Sequence, residues 1–343
     1  MGVALDGGAA GAVVKVDGLE VVPVCIPMEG GDHEAVIVIQ HGEGLAGLGE
    51  APVIPERGDS LTQLVSELRG ERPVRSASAR HALETARLDL LARQQGRPLA
   101  ALLGAVQRQE IECSALVTAT RPDLVARTVE RSAAAGFRAF KLKAVGGGGV
   151  LDQERLGAAR WAAGQGARLR LDFNGRVDSG EAAVKLSGLA PFRLELVEQP
   201  LPPDAPAAAW KLLDPGADSL LAADESLGSP RLARELAEAG VALAMKLATV
   251  GGPVAAYDLA ARAKGPVTVG SSFETTIGLA AALHLACALA AEPLACGLAT
   301  GWLLDDDLAT GLSRRGPFLR LPDQPGLGVT LDPRALYIYR LDR

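Results

Sequence analysis

The chain is most informative over AFKLKAV (139–145), RLRLDF (168–173), RLELVEQ (193–199) and SLLAADE (219–225). Each segment is short, rich in aliphatic residues, and carries a charged side chain at or near its end. Short apolar runs of this kind are typical of buried strands, and their regular recurrence is typical of strands joined by helical crossovers. These four segments therefore predict consecutive strands of a parallel sheet with their charged ends at one edge.

The same rhythm extends from about residue 111 to residue 300. The further strand-like runs are IECSALVTA (111–119), ALAMKLA (242–248), PVTVGSS (266–272) and LACGLAT (294–300). The predicted helices between strands include PDLVARTVERSAAAG (122–136), DQERLGAARWAAG (152–164) and SPRLARELAEAG (229–240). Eight strands and seven crossovers predict an α/β protein with a modified TIM barrel, (β/α)7β.

An open doubly wound sheet is the competing architecture, and it normally carries a Gly-rich phosphate loop after its first strand. Here the first strand runs through 117–120 into a helix with no such loop. GEGLAG (42–47) matches the glycine spacing but continues into LGEAP, so it is interpreted as a hairpin turn. Gly146 to Gly149 are not followed by GK[ST], and we expect a flexible strand-to-helix connection there.

The two ends of the chain predict a second, smaller unit. Residues 13–110 combine strand-like and helical patterns and predict an α+β capping domain, after a loose Gly/Ala-rich tail over residues 1–12. GLGVTLDPRALYIYRL (326–341) is strand-like and is expected to return to that cap. The predicted organisation is thus a tail (1–12), a cap (13–110), the barrel (111–322) and a C-terminal return to the cap (323–343).

Composition excludes several classes of function. The 343 residues carry a net charge of −6, which disfavours nucleic-acid binding, and no stretch is long and apolar enough to span a membrane. The N-terminus does not resemble a signal peptide. Four cysteines without a CxxC pair suggest reduced, buried thiols and a cytoplasmic protein. His284 lies in an apolar helix and is expected in the core, and the other histidines, in the N-terminal third, are expected far from the chemistry.

Three successive strands end in a carboxylate, at Asp172, Glu198 and Asp224. One such acid is typical of a salt bridge or a helix cap. Three on one rim repel one another unless a hard cation lies between them, and oxygen ligands without Cys or His favour Mg²⁺, or Mn²⁺, over zinc.

Lysines accompany these acids. Lys141 and Lys143 are two apart on one strand, so their side chains share a face, and Lys246 ends a strand across the barrel. A lysine acts as a base only when neutral, and neighbouring cations are expected to lower its pKa. A solvated edge is the alternative for the KxK pair, but the flanking residues are apolar. The combination predicts removal of a proton α to a carboxylate, with a metal-stabilised enediolate intermediate.

The motifs FKLKAV, LRLDFNG, LVEQPLPP, LAADES, MKLATVGG and GSSFETTIGLAAALHLA together resemble the muconate-lactonizing branch of the enolase superfamily. LAGLGEAP (45–52) and PGLGVTLD (325–332) resemble the ends of its capping domain. The resemblance implies metal ligation by Asp172, Glu198 and Asp224, acid/base catalysis by Lys143 beside Lys141, and Lys246 on the opposite face of the substrate. Substrate contacts are expected from Lys141, Asn174, Ser271, Ser272 and Glu274, with backbone N–H groups near 271–274 holding a carboxylate.

Within this branch, SSFETTIGLAAALHLA and ACGLATGWLLDDDL resemble the o-succinylbenzoate synthase family, a dehydratase of menaquinone biosynthesis. Dipeptide epimerases carry a DLDT-like motif at the eighth strand, and residues 297–300 have neither acid. KLATVGG lacks the proline that usually follows the lysine, and CIPMEGGDHEA (25–35), the specificity loop, lacks an Arg-containing segment common in the synthases.

The expected partner is a small carboxylate substrate, with no nucleic acid or membrane, and a homo-oligomer is compatible with the sequence. The alternatives are an N-succinylamino-acid racemase, a muconate cycloisomerase and an acid-sugar dehydratase. The alternative from another class is a catalytically silent, metal-binding barrel, which has no reason to keep these costly charges on the rim.

Overall fold

The computed structural model describes residues 16–216 and 219–342, so the tail predicted over residues 1–12 lies outside the described residues. The N-terminal part opens with an antiparallel sheet of three strands, β1 (Gly18–Met28), β2 (Gly31–Gly42) and β3 (Leu45–Pro52). Glu43 and Gly44 connect β2 to β3 at φ 54° and 77°. A two-residue loop with positive φ is typical of a tight β-hairpin, which confirms the interpretation of GEGLAG.

Three helices follow the sheet: α1 (Leu61–Leu68), α2 (Ala77–Gln94) and α3 (Ala100–Leu103). The glycines of LAGLGEAP bring β3 and α2 together. A Cβ on Gly49 would lie 2.0 Å from the carbonyl oxygen of Ala82, and one on Gly47 would lie 2.1 Å from that of Ala86. Only glycine permits this approach of two backbones.

The barrel begins after the short strand β4 (Glu110–Glu112). Its seven hydrogen-bonded strands are all parallel and follow sequence order: β5 (Ala115–Val117), β6 (Ala139–Lys143), β7 (Arg168–Asp172), β8 (Leu196–Glu198), β9 (Leu220–Ala223), β10 (Ala242–Lys246) and β11 (Val267–Gly270). The connecting helices are α4 (Pro122–Ala134), α5 (Val150–Ala163), α6 (Ser179–Ser187), α7 (Ala207–Trp210), α8 (Pro230–Glu238), α9 (Leu247–Val250), α10 (Pro253–Arg262) and α11 (Thr276–Ala288). The predicted alternation is confirmed.

The eighth predicted strand closes the barrel through isolated bridges. Gly297 bridges Gly270 of β11, and Cys296 bridges Cys113, next to β5. The backbone N–H of Cys296 donates to the carbonyl of Glu112 at 2.7 Å. The first predicted strand, 111–119, divides in two, because β4 pairs antiparallel with a C-terminal strand and β5 enters the barrel.

The C-terminal region contains β12 (Ala309–Thr310), β13 (Ser313–Arg315), β14 (Phe318–Arg320), β15 (Thr330–Leu331) and α12 (Pro333–Tyr339). The expectation of a strand over 326–341 is therefore wrong for residues 333–339. Asp332 caps this helix by accepting the N–H groups of Arg334 and Ala335, and Pro333 occupies its first turn. The C-terminal segment does return to the first sheet, where the N–H of Leu341 donates to the carbonyl of Pro23. The boundaries at 110 and 322 stay a prediction.

His284 is buried inside α11, as predicted. Its Nδ1 accepts the N–H of Ala100 and its Nε2 lies 3.1 Å from the carbonyl of Leu327, while burial lowers its pKa to about 4. His284 is thus a neutral core residue whose ring connects α11 to α3 and to the C-terminal segment at Leu327. All four cysteines are free. Among the described residues, no helix is both long and apolar enough to cross a membrane.

Candidate active site

Three carboxylates converge at the carboxyl ends of β7, β8 and β9. Asp172 and Glu198 are the last residues of neighbouring strands and face each other in register, and Asp224 directly follows β9. All three are buried, and one oxygen from each lies within 4.8 Å of the others. Parallel pairing in register therefore assembles the predicted acid cluster, which we call the acid trio.

The electrostatics of the acid trio fit an oxygen-ligated cation. Burial, together with repulsion from Asp172 and Asp224, raises the pKa of Glu198 to about 7, and burial likewise raises the pKa of Asp224. Although burial opposes its charge, Lys141 and Lys143 hold the pKa of Asp172 well below its usual range. Oδ1 of Asp224 has no hydrogen-bond partner in the described part of the chain. A buried, unpartnered carboxylate oxygen facing two other acids is the arrangement that a hard divalent cation would complete.

The three predicted lysines flank the acid trio. Lys141 Nζ donates to Oε1 of Glu198 at 2.5 Å and lies 3.0 Å from Oδ2 of Asp172. Lys143 Nζ donates to the same Asp172 oxygen at 2.6 Å. From β10, on the other side of the acids, Lys246 Nζ donates to Oδ2 of Asp224 at 2.5 Å. Three lysines thus lie on either side of three carboxyl groups on the rim.

The expected lowering of the lysine pKa values is not what these side chains alone produce. Burial does oppose the charge of Lys141, but Asp172 and Glu198 raise its pKa above the ordinary range. For Lys246, Asp224 and Glu198 likewise outweigh burial, and its pKa is raised. For Lys141, attraction by Asp172 and Glu198 exceeds the repulsion from Lys246, which acts in the opposite direction.

Asn174 connects the lysines to a further acid. Its φ of 49° turns the chain after β7, and its N–H donates to Oδ1 of Asp172. Its side-chain oxygen accepts from Lys143 at 3.1 Å, while its Nδ2 donates to Oε1 of Glu225 at 2.9 Å. The sequence placed Asn174 at the site but missed Glu225, for which adjacency to Asp224 in LAADES was the available signal.

Gln199 was also missed. It is fully buried at φ 40°, and its Oε1 accepts the backbone N–H groups of Asp224 and Ser226. Its Nε2 donates to the carbonyl of Leu201 and to the hydroxyl of Ser226. The side chain therefore fixes the backbone that carries Asp224. A buried amide directly after a strand-end acid was its signal in the sequence.

A buried ion pair holds the end of β6. The carboxylate of Asp152 accepts the N–H groups of Val145, Gly146 and Gly148, so the Gly-rich connection is closed on the protein's own acid rather than left open for phosphate. Arg155 pairs with Asp152 at 2.7 Å and donates to the carbonyl of Lys143, both side chains being 0% exposed. The same guanidinium donates to the carbonyl of Ala119, which follows β5.

A cavity of about 1100 Å³ opens above the rim. The sequence-predicted residues that border it are Lys141, Lys143, Asn174, Asp224, Lys246, Ser271 and Ser272. From the N-terminal part, the β1–β2 hairpin contributes Met28, Asp32 and His33, and the segment 53–57 contributes a second edge. The specificity loop predicted at 25–35 does lie at the site. The expectation that His33 lies far from the chemistry is wrong, because pairing of β1 with β2 carries it to the cavity wall.

The N-terminus of α11 departs from expectation. Its free N–H groups were predicted to hold a substrate carboxylate, but protein acids occupy them. Glu50 accepts the N–H groups of Thr275 and Gly278, and Asp307 accepts that of Thr276. The buried carboxylate of Glu274 accepts the N–H of Ser272 at 2.5 Å from behind the loop.

Ser272 borders the cavity, and its buried hydroxyl has no hydrogen-bond partner among the described residues. Ser271 Oγ is 2.8 Å from Thr300 Oγ1, which closes the loop against the eighth segment.

Comparison with known proteins places this arrangement in a family. The model of the family described as "Enolase C-terminal domain-like" matches residues 124–335. The L-Ala-D/L-Glu epimerase of Bacillus subtilis is 30% identical over 327 residues, covering 86% of this chain and 89% of the relative. A chloromuconate cycloisomerase of Pseudomonas putida is 33% identical over 266 residues, which cover 76% of this chain and 72% of the relative. The o-succinylbenzoate synthase of Thermobifida fusca is 38% identical over 206 residues, which cover 59% of this chain and 63% of the relative.

Solved structures agree in fold. A substrate-liganded complex of the Bacillus subtilis epimerase superimposes with a TM-score of 0.83 at 27% identity, covering 92% of this chain and 98% of that one. A muconate cycloisomerase of Pseudomonas fluorescens gives 0.87 at 24% identity, covering 96% and 99%. The barrel with its capping domain is thus shared across relatives whose reactions differ.

Proposed function

Because the chain belongs to the enolase C-terminal domain-like family, in the muconate-lactonizing branch of the enolase superfamily, we propose that it removes the proton α to a carboxylate of a small acid. The observation that carries the proposal is the acid trio flanked from both sides by lysines at the mouth of one cavity. An arrangement with charges this close and this buried is expensive to keep without a reaction that uses it.

In this proposal Asp172, Glu198 and Asp224 hold Mg²⁺, with Mn²⁺ as the alternative. When bound, the cation supplies positive charge against the negative charge that develops on the substrate carboxylate. The acids would fix the position of the cation, and Gln199 fixes one of them by holding the backbone of Asp224.

Lys143 is the proposed base. Its side chain is 31% exposed, against 16% for Lys141 and 19% for Lys246, so it is the most accessible of the three lysines that border the cavity. Asn174 holds that nitrogen at 3.1 Å and orients it. Lys141 stays bound to Glu198 and orders the acids. Lys246, from the opposite side, stabilises the developing anion as a fixed positive charge.

For the overall reaction we propose syn dehydration, as in the o-succinylbenzoate synthases. A single group on one face then takes the α-proton and returns it to the departing hydroxyl, a role that suits Lys143. The eighth segment supports this choice: Gly297 to Thr300 contain no acid that would hold the amine of a dipeptide, and a Cβ at Gly297 would contact Gly270 at 3.5 Å.

Racemisation of N-succinyl amino acids is the second candidate. It requires one base on each face of the substrate, and Lys143 on β6 and Lys246 on β10 lie on opposite sides of the acid trio. The same placement serves the epimerase and cycloisomerase reactions that the names of the relatives imply. The lysines therefore indicate removal of an α-proton but do not by themselves identify the substrate.

The test is exchange of the α-proton in deuterated water, followed by NMR. The panel contains the synthase's cyclohexadiene substrate, N-succinyl amino acids and Ala–Glu dipeptides, each with Mg²⁺ and after exhaustive EDTA treatment. We expect metal-dependent dehydration of the first, slower exchange of the second and negligible exchange of the third. Exchange that survives metal removal contradicts the proposed chemistry, and efficient dipeptide epimerisation without dehydration contradicts the proposed substrate.

A further inference from the structure

Glu225 is an acid at the site that does not belong to the acid trio. It directly follows Asp224, begins the 3-10 turn Glu225–Gly228 and borders the cavity. The described acids that could share one cation are Asp172, Glu198 and Asp224, without Glu225. A fourth carboxyl group beside three others adds repulsion to a site that already concentrates negative charge. A role other than metal ligation is therefore needed to account for it.

Asn174 connects Glu225 to the proposed base. Its Nδ2 donates to Oε1 of Glu225 at 2.9 Å, and its Oδ1 accepts from Nζ of Lys143 at 3.1 Å. The second acceptor near Nδ2 is Oδ2 of Asp172, at 3.4 Å, which is longer than an ordinary N–H···O hydrogen bond. That oxygen also accepts from Lys143 at 2.6 Å. Glu225 is therefore the acceptor that fixes the amide of Asn174.

The orientation of this amide matters because its two ends have opposite hydrogen-bonding character. A side-chain amide accepts through its oxygen and donates through its nitrogen, whereas a lysine ammonium only donates. If the amide of Asn174 turned by 180°, its NH₂ group would face the ammonium of Lys143, and two donors would meet without an acceptor. The turned amide would also place its oxygen against the Glu225 carboxylate, so Glu225 opposes this rotation.

The other oxygen of Glu225 shows that this side chain has no second structural bond. Within residues 16–216 and 219–342, its buried Oε2 has no hydrogen-bond partner, so the carboxylate is held to the protein through Oε1 and Asn174. Glu225 also attracts Lys246, more weakly than Asp224 and Glu198 do. A role through the hydrogen bond and a role through the charge are thus two separate possibilities, and the geometry favours the hydrogen bond.

We propose that Glu225 is a positioning residue for proton abstraction, which acts through Asn174 to fix the side-chain nitrogen of Lys143 in the orientation that reaches the α-proton. The inference rests on the proposed function and adds a residue outside the metal ligands and the lysines. Misplacement of a reacting group by about 1 Å can cost on the order of 10²-fold in rate. We therefore expect loss of the hydrogen bond to lower kcat by about 10- to 100-fold, with KM and Mg²⁺ affinity nearly unchanged.

Glu225→Met and Glu225→Gln are the matched pair that tests the hydrogen bond. Both side chains are close to glutamate in length and neither is charged, but only glutamine has an oxygen that can accept from Asn174. Kinetics use the member of the substrate panel that the wild type exchanges fastest, and calorimetry measures Mg²⁺ affinity. Glu225→Met should show the full loss of kcat, and Glu225→Gln should retain most of the wild-type rate. Glu235→Gln, which removes an exposed acid bordering the same cavity, should leave kcat unchanged.

A double-mutant cycle tests whether the effect passes through Asn174. Asn174→Gly removes the amide and tolerates the φ of 49° at this position. If Glu225 acts through Asn174, adding Glu225→Met to Asn174→Gly should lower kcat no further. The inference is overturned if the two effects multiply, if Glu225→Gln is as slow as Glu225→Met, if Glu225→Met changes KM alone, or if its Mg²⁺ affinity falls by the same factor as kcat.

A readout without turnover separates this inference from the proposed function. In ¹⁵N NMR of the Mg²⁺-loaded protein, the signals of the Asn174 side-chain amide and the Lys143 ammonium should move in Glu225→Met and stay close to the wild type in Glu225→Gln. If the wild type exchanges no member of the panel, the proposed function fails, and these signals alone decide the inference. Signals that do not move in Glu225→Met overturn it, and signals that move as expected retain the positioning of Lys143 by Glu225.

Discussion

Glu50→Ala is the substitution whose cost follows most directly from the structure. Glu50 is fully buried at the end of β3 and accepts four hydrogen bonds: from His33 Nε2 at 2.9 Å, the N–H and hydroxyl of Thr275 at 3.0 and 2.6 Å, and the N–H of Gly278 at 3.0 Å. It thereby fastens the β1–β2 hairpin to the N-terminus of α11, just after the cavity loop 271–272.

The magnitude follows from these bonds. Each hydrogen bond to a charged group contributes about 1.5–3 kcal/mol, but bonds that share one acceptor are not additive. Truncation leaves buried donors, the His33 imidazole among them, without a partner, as when a buried ion pair loses one member. We therefore expect the free energy of unfolding to fall by about 3–5 kcal/mol, out of a typical total of about 5–15 kcal/mol. KM should also rise, because the cavity loop loses its support.

Urea denaturation measures the first effect and steady-state kinetics the second. Asp89→Ala is the matched control. Asp89 is also fully buried and accepts hydrogen bonds from Leu48, Leu327 and Arg93. None of these partners borders the cavity, whereas His33, a partner of Glu50, does. Asp89→Ala should lose comparable stability with KM unchanged. A loss below about 1 kcal/mol in Glu50→Ala, or an equal rise of KM in both variants, would refute the reasoning.

Three further outcomes are expected. Both Lys143→Ala and Lys246→Ala should slow turnover by at least about 10²-fold. With the dehydration substrate, only Lys143→Ala should abolish exchange of the α-proton measured by NMR. The reverse pattern would assign the base to Lys246. Asp224→Asn should weaken Mg²⁺ binding by more than about tenfold in a calorimetric titration while the far-UV circular dichroism spectrum is retained; unchanged affinity would remove Asp224 from the ligands. The pKa of His33 is raised above 6.5, because Glu50 outweighs the opposing effect of burial. The stabilisation from His33 is therefore complete below pH 6.5 and lost as pH rises through the raised pKa, so urea midpoints should fall over that interval in the wild type but not in His33→Gln.

Much of the barrel could be predicted because its signals are local. Aliphatic runs set strand positions, and the strand-end charges of Lys143, Asp172 and Glu198 recur once per unit, so parallel pairing alone brings them to one rim. In the cap, the hairpin turn in GEGLAG was predictable from its glycines and is confirmed by positive φ at Glu43 and Gly44. In both cases the sequence neighbours determine the spatial neighbours.

The remainder depends on contacts between segments far apart in the chain. The acids that accept the N–H groups at the N-terminus of α11 are Glu50 and Asp307, and no sequence pattern near Thr275 predicts them. The position of His33 depends on the register of β1 against β2. Helix α12, by contrast, has a local signal. Asp332 and Pro333 are typical of a helix start, but the apolar residues after them were interpreted as a strand.

The Asp152–Arg155 pair has a consequence for how the protein tolerates change. Its guanidinium grips the carbonyls of Lys143 and Ala119, so a helix outside the barrel sets the origin from which the lysine side chain extends. The opposite side of that helix carries exposed Val150 and Trp161. Substitutions at these exposed positions should therefore leave β6 in place, whereas a substitution at Asp152 or Arg155 would shift the backbone that carries Lys143.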